Sequence, residues 1–268
     1  MILKPQDAAT FFKLMPGLQV YANQKLGLVK NLSEPIDYRK TGMEDRVKLR
    51  DTLYEKHPEL IRQFVNENPF SFTEDELEIV AKWENFVSGE FYVIEATKKY
   101  TFFMQNEQVY AVLGLIDSIV DMVDMPLPFY TKAILLPFKG KIIYDGLLQT
   151  HSIMFGAGIR ASIDMQYKTA RSKGLIRESL DPDWQPSQPK NQKDWKPVLA
   201  EIAEKASKLR SSSDEPPLNS PAFSLVKASL DFAQTAIEHP QDAEKLFKSL
   251  DKVFRSANKA EKLLYYID

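Results

Sequence analysis

The spacing of apolar residues changes from a helical to a strand-like period near residue 90, and it returns to a helical period near residue 159. Before the first change, apolar side chains recur at intervals of three and four, as in Leu77, Val80 and Ala81. Between residues 91 and 155, short β-branched and aromatic runs are separated by turn residues. Because helices and strands bury their apolar residues at different periods, patterns in separate blocks are typical of an α+β fold.

The order of these blocks predicts three parts. A helical N-terminal part over residues 1–90 packs on a small antiparallel β-sheet or barrel with a closing helix over residues 91–180. A linker and a helical C-terminal module of three helices follow over residues 181–268. The connections between most of the strands are short, and short connections join antiparallel neighbours.

Several helix ends are marked by local motifs. Thr73-Glu-Asp-Glu76 has the spacing of a capping box, and Gly89 is interpreted as the end of the helix that the box starts. A short helix is expected between Gly114 and Asp124. Ser220-Pro221 has the pattern of an N-cap followed by a first-turn proline.

The 268 residues include no cysteine, which excludes disulfides, thiolate zinc sites, iron–sulfur clusters and cysteine nucleophiles. No run of about 18 uncharged apolar residues is present, so we expect no membrane-spanning helix. The first residues lack the apolar stretch of a signal peptide. We therefore expect a cytoplasmic protein.

The charges are nearly balanced overall, with 35 basic and 37 acidic residues, but they are unevenly distributed. Residues 130–180 hold eight basic and three acidic side chains, whereas residues 41–90 hold six basic and twelve acidic ones. This asymmetry indicates a local basic surface within the second part of the chain.

Two glycine-containing segments lie in that basic region. Lys139-Gly140-Lys141 is interpreted as a hairpin turn, and Asp145-Gly146, which interrupts an apolar run, as a bulge. The segment from Phe155 to Arg160 contains two glycines before a helix, an arrangement that can direct backbone N–H groups at an anion. If both segments converge, they form an anion- or partner-binding site that contains Lys139, Lys141, Gly156, Gly158, Arg160, Lys168, Arg171 and Lys173.

A weaker alternative is a metal-binding site. Asp117, Asp121 and Asp124 would share one face of a helix and hold Mg²⁺ or Mn²⁺, although an amphipathic helix explains the same spacing. We predict no metal beyond this alternative. We also predict no cofactor, because the glycine pattern is neither a dinucleotide fingerprint nor a P-loop.

No convergent set of catalytic side chains is recognisable, so no catalytic residue is predicted and binding is favoured over catalysis. The first expectation is a non-enzymatic intracellular binding or regulatory protein, with a basic sheet-and-helix patch for an acidic partner and C-terminal helices for protein contacts. Those helices are also compatible with a homo-oligomer. The alternatives are a nucleic-acid-binding protein that uses the basic patch at residues 139–173, and a metal-dependent phosphoryl-transfer or nuclease enzyme.

Overall fold

The structure is a computed structural model that describes residues 2–151, 153, 155–186, 194–240 and 242–265. Its contacts divide the chain into two compact units, Met1–Lys190 and Asn191–Asp268. The fold is α+β, with N-terminal helices, a five-stranded barrel and C-terminal helices. In the described ranges, no helix combines the length and the apolar character that a bilayer span requires.

Four helices precede the strands, namely α1 (Pro5–Leu26), α2 (Met43–Lys56), α3 (Glu59–Glu67) and α4 (Glu74–Lys82). Helix α1 continues through Pro16 as one helix. A 3₁₀ turn at Asp37–Lys40 lies between α1 and α2. The helices bury their apolar faces in the same core as the barrel, and this shared core makes the first unit compact.

The capping box that begins α4 is confirmed. The Thr73 hydroxyl accepts a hydrogen bond from the Glu76 backbone N–H at 3.3 Å, and Glu76 Oε2 accepts one from the Thr73 N–H at 3.1 Å. The predicted helix end at Gly89 is wrong. The helix ends at Lys82, and Gly89 lies within the first strand with φ +145°.

Six strands follow, β1 (Val87–Ala96), β2 (Thr101–Gln105), β3 (Gln108–Leu113), β4 (Phe129–Phe138), β5 (Lys141–Tyr144) and β6 (Gln149–His151). Their order is β1-β2-β3-β5-β4-β6, and pairing of β1 with β4 closes five of them into a barrel. The predicted antiparallel pairing holds except between β3 and β5, which are parallel. Strand directions cannot alternate around a ring of five, so closure requires one parallel pair.

Strands β1 to β3 have two buried faces. Alternate residues such as Phe91, Val93 and Phe103 point into the main core. Their neighbours, including Phe102 and Met104, form a second cluster. Helix α6 (Ala157–Ser172) covers this second cluster with Ile163, Tyr167 and Ala170.

The second unit contains α7 (Lys196–Ser207), α8 (Asn219–Glu238) and α9 (Ala243–Leu264), with α8 packed on α9. The predicted Ser220 N-cap is wrong, since α8 begins at Asn219 and Leu218 occupies the capping position. Part of the predicted linker, residues 187–193, lies outside the described residues.

Candidate ligand-binding pocket

The strand pairing of β4 is interrupted on one edge by a four-residue bulge, residues 145–148. Tyr144 at the end of β5 pairs with Leu135, and Gln149 at the start of β6 pairs with Lys132. Only two β4 residues therefore lie opposite the four residues of the bulge. The Asp145 N–H still donates to the Ile134 carbonyl at 3.0 Å, which fixes where the bulge begins. The bulge that the sequence predicts at Asp145-Gly146 is confirmed.

Gly146 gives the bulge its shape. Its φ of +94° lies in the region that side-chain-bearing residues rarely adopt. A Cβ atom at this position would also lie 3.5 Å from a methyl carbon of Leu115. The turn at Gly146 lets the chain leave the edge of β4 while the Asp145 side chain stays buried.

The Asp145 carboxyl group is buried with one of its oxygens unsatisfied. Its Oδ1 accepts a hydrogen bond from the Leu147 N–H at 3.3 Å. Its Oδ2 has no hydrogen-bond partner among the residues that the structure describes. Burial raises the pKa of Asp145 to about 7, because loss of water outweighs the opposing effect of the nearby Arg50 guanidinium.

Arg50 of α2 is fully buried beside this carboxyl group. Its Nη1 donates to the Leu147 carbonyl at 3.2 Å, and its Nη2 donates to Gln149 Oε1 at 2.5 Å. Its Nε donates to Asp51 Oδ1 at 2.8 Å. Two of these bonds attach α2 to the bulge and to the first residue of β6, and all three compensate the cost of burying the guanidinium.

Two tyrosines, Tyr38 and Tyr54, lie near Asp145, and a second arginine lies beside Tyr38. The Tyr54 hydroxyl is buried and has no partner within the described part of the chain. Burial, and secondarily the charge of Asp145, raise the pKa values of Tyr54 and Tyr38. The Arg46 guanidinium lies 5.1 Å from the centre of the Tyr38 ring and donates from Nη2 to the Arg39 carbonyl at 2.6 Å. Its Nε is buried, again with no partner among the described residues.

These groups border a pocket of about 720 Å³, which we call the Asp145 pocket. Its volume falls within the range of small-molecule sites. Its wall is mostly apolar and comes from α1, the chain after β3 and the bulge: Ile2, Leu3, Pro5, Ala8, Ala9, Phe11, Phe12, Met15, Pro16, Leu115, Ile116, Gly146 and Leu147. Its polar lining consists of Tyr38, Arg39, Arg46 and Asp145, as far as the chain is described.

The predicted basic site includes two lysines of the β4–β5 hairpin. Lys139 lies in the β4–β5 turn and forms an ion pair with Asp7 of α1 at 2.5 Å. Lys141 Nζ lies 3.5 Å from the Tyr100 hydroxyl. The other predicted residues lie on or beside α6, which covers the face of β1–β3 that points away from the main core: Gly156, Gly158, Arg160, Lys168, Arg171 and Lys173.

Most cations near α6 have partners within the chain. Arg160 Nε donates to the Phe155 carbonyl at 3.1 Å, Lys168 pairs with Asp164 at 2.7 Å, and Arg171 lies 3.8 Å from Glu95. Gly156 is the N-cap of α6, and Gly158 lies in its first turn. Exposed ion pairs are weak, so binding of an anion by this surface stays a prediction.

The aspartates of the metal alternative do not share a helical face. Helix α5 spans only Ile119–Val123, so the expected helix from Gly114 to Asp124 is wrong in extent. Gly114 instead accepts a hydrogen bond from the Leu3 N–H at 3.0 Å, and Asp124 ends the helix with φ +47°. Within the described ranges, no three histidine, aspartate or glutamate residues are placed to hold a metal ion.

Sequence reasoning missed Arg50, Arg46, Tyr38 and Tyr54. Residues 44–51 of α2 are mostly charged and are typical of a solvated face, and the partners of Arg50 come about 100 residues later. The sequence marks Asp145 as an interruption of an apolar run, but it does not indicate the partners of its carboxyl group. Comparison of the chain with known protein families, with curated proteins and with solved structures finds no match.

Proposed function

We propose that this protein is a non-enzymatic binding protein that holds a small, largely apolar ligand in the Asp145 pocket. The observation that carries the proposal is a pocket of about 720 Å³ with a mostly apolar wall and a few polar side chains, Tyr38, Arg39, Arg46 and Asp145. A concave apolar site with a small number of polar groups is the usual form of a small-molecule site.

Binding is favoured over catalysis by the chemistry of the wall. Among the described residues that line the pocket, none is a serine, threonine, histidine or lysine. A nucleophile with an adjacent base is the usual basis of covalent catalysis. The polar side chains that are present, a carboxyl group, two guanidinium groups and a phenol, are suited to orienting a ligand.

The proposal is tested with N-phenyl-1-naphthylamine, an uncharged fluorophore that brightens in apolar surroundings. Ala9 is exposed on α1 and lines the pocket, so Ala9→Trp places an indole in the pocket without enlarging the core. We expect the wild type to bind the fluorophore and Ala9→Trp to bind it at least about tenfold more weakly.

Ala161→Trp is the matched control, because Ala161 is exposed on α6 and is not part of the pocket wall. It should bind the fluorophore as the wild type does. Equal binding by Ala9→Trp, or absence of binding by the wild type, would refute the proposed function. Thermal unfolding of both variants shows whether they are folded.

The other functional expectations stay predictions from the sequence. They are the basic surface near α6 for an acidic partner or nucleic acid, the protein contacts and self-association of the C-terminal helices, and the cytoplasmic location. The fluorophore experiment does not depend on any of them.

A further inference from the structure

The polar groups of the Asp145 pocket determine which head group a ligand can carry, and this inference rests on the proposed function. Arg39 and Arg46 line the pocket, and Asp145 is the only acidic side chain that lines it in the described chain. Arg50 lies behind Asp145, with its Nη1 3.8 Å from Oδ2. Asp51, the other nearby acid, is already bonded to Arg50 and Lys132. Two arginines therefore line the pocket with a single carboxyl group, and a third arginine lies behind that group.

Arg46 is held in place before any ligand arrives. Its guanidinium lies against the Tyr38 ring and donates to the Arg39 carbonyl. Its Nε–H is a buried donor without a partner among the described residues. Arg46, Tyr38 and Asp145 all line the pocket. An ionised acceptor on the ligand would receive a charge-assisted hydrogen bond from the guanidinium group of Arg46.

Asp145 opposes an anion less than an ordinary carboxylate does, because burial raises its pKa to about 7. A pocket with two guanidinium groups, a partly neutral carboxyl group and an apolar wall is complementary to a carboxylate on an alkyl chain. An alkylammonium would instead bring a fourth cation beside Arg39, Arg46 and Arg50.

We propose that the Asp145 pocket binds a single-chain amphiphile with a monoanionic head, of the chemical class of a long-chain carboxylate. The alkyl chain lies along the apolar wall from α1, and the head group accepts hydrogen bonds from Arg46, with Arg39 contributing its charge at the exposed rim.

Three probes with the same twelve-carbon chain separate the head groups: dodecanoate, 1-dodecanol and dodecyltrimethylammonium, each below its micellar concentration. Displacement of N-phenyl-1-naphthylamine at pH 7 measures their dissociation constants. We expect dodecanoate to bind at least about tenfold more tightly than 1-dodecanol, and dodecyltrimethylammonium to bind most weakly. Decanoate should bind roughly tenfold more weakly than dodecanoate, since two methylenes are removed from the apolar wall.

Arg46→Gln tests the assigned head-group contact. It should weaken dodecanoate binding about tenfold or more and change 1-dodecanol binding less than about threefold. Arg62→Gln is the matched control, because Arg62 is exposed on α3, pairs with Glu84 and does not line the pocket. If Arg46→Gln does not fold, Arg39→Gln at the exposed rim tests the head-group contact instead. We expect it to weaken dodecanoate binding by a smaller factor and to leave 1-dodecanol binding unchanged.

The outcomes distinguish this inference from the proposed function. Binding of the fluorophore together with equal affinity for dodecanoate and 1-dodecanol, or tighter binding of dodecyltrimethylammonium, overturns the anionic head group and leaves the pocket in place. Dodecanoate binding that neither arginine substitution weakens also overturns it. Failure of the fluorophore and of all three probes overturns the proposed function itself.

Discussion

The Arg50 guanidinium and the Asp145 carboxyl group face each other with Nη1 3.8 Å from Oδ2, and their side chains are 0% and 1% exposed. The distance is too long for a hydrogen bond, so Arg50 makes its three hydrogen bonds elsewhere and leaves Oδ2 unsatisfied within the described structure. The pair therefore lies where α2 meets the bulge, with Oδ2 buried beside the guanidinium group.

The buried carboxyl group should make stability depend on pH. Folding raises the pKa of Asp145 from its ordinary value of 3.8 to about 7, so the folded state binds this proton more tightly. The contribution of Asp145 to stability is greatest below pH 4 and is lost as the pH rises to about 7. We expect Asp145→Asn, which does not titrate, to gain stability relative to the wild type across this window, by on the order of 4 kcal/mol.

Urea unfolding of both proteins at pH 4, 5, 6, 7 and 8 measures this difference. The two proteins share every other titrating group, so the contributions of those groups to the pH dependence of unfolding largely cancel in the comparison. A difference that is constant from pH 4 to pH 8 would show that the environment of Asp145 does not raise its pKa.

Removal of Arg50 should be costly in a way that depends on Asp145. Arg50→Met leaves a buried carboxyl group without its cation, and we expect a loss of about 3–5 kcal/mol at pH 8. In the Asp145→Asn background the loss should be smaller by about 1–3 kcal/mol, because no charge is left unpaired. The coupling should shrink at pH 5, where Asp145 is protonated in the folded wild type. Additive effects of the two substitutions at pH 8 would contradict this account.

The proposed anionic ligand should bind better at lower pH. Asp145 is charged at pH 8 and mostly protonated at pH 6, whereas an alkyl carboxylate of ordinary pKa stays ionised over this range. The charged or titratable groups around Asp145 are Arg46, Arg50, Asp51 and Tyr54 of α2, Tyr38 of the 3₁₀ turn and Tyr144 of β5.

We expect dodecanoate to bind about tenfold more tightly at pH 6 than at pH 8, because repulsion by Asp145 is removed. In Asp145→Asn the affinity should change little between these pH values. 1-Dodecanol serves as the uncharged control in the same titration. A dodecanoate affinity that rises with pH would be inconsistent with protonation of Asp145.

Gly89 should resist substitution for two separable reasons. Its φ of +145° is strained for alanine, and a Cβ atom would lie 2.1 Å from Gln105 Nε2. We expect Gly89→Ala to lower the free energy of unfolding by about 1–3 kcal/mol from backbone strain, with a further loss from the contact. Adding Gln105→Ala should recover only the contact part. Gly42→Ala is the control, because Gly42 has φ −62° and open space around it. If Gly42→Ala lowered the free energy of unfolding as much as Gly89→Ala does, backbone strain at Gly89 would not explain the loss.

The basic surface near α6 is tested by heparin affinity. If Lys168, Arg171 and Lys173 contribute to one anion-binding surface, the triple charge reversal to glutamate should elute at clearly lower salt than the wild type. The control is the charge reversal of Lys205 and Lys208 at the C-terminal end of α7, where both lysines also pair with nearby glutamates. This double reversal changes the net charge by four, whereas the triple reversal changes it by six. Similar shifts per charge for the two variants would mean that α6 has no special role.

Local motifs predicted the parts of the fold that depend on neighbouring residues. The Thr73–Glu76 capping box was predictable because all of its hydrogen bonds form within four residues. Gly89 was misinterpreted as a helix end because a glycine after a helical pattern usually is one. Its place in a strand depends instead on Gln105, which packs against it from the next strand.

The candidate site was less predictable because it is assembled from distant segments. The interruption of an apolar run by Asp145-Gly146 was enough to predict a bulge. The role of the carboxyl group depends on Arg50, which comes 95 positions earlier in a mostly charged stretch of α2. Periodicity in α2 did not distinguish a buried arginine from its solvated neighbours. Nothing local in α1 indicates that part of its apolar face lines a cavity.

Strands β5 and β6 attach separately to the same edge of β4, so residues 145–148 are held from both sides. The contact of Leu147 with Arg50 uses a backbone carbonyl, which any amino acid supplies. Gly146 is fixed as glycine by its positive φ, whereas the Leu147 side chain lines the pocket. Engineering of a new binding preference can therefore start from position 147.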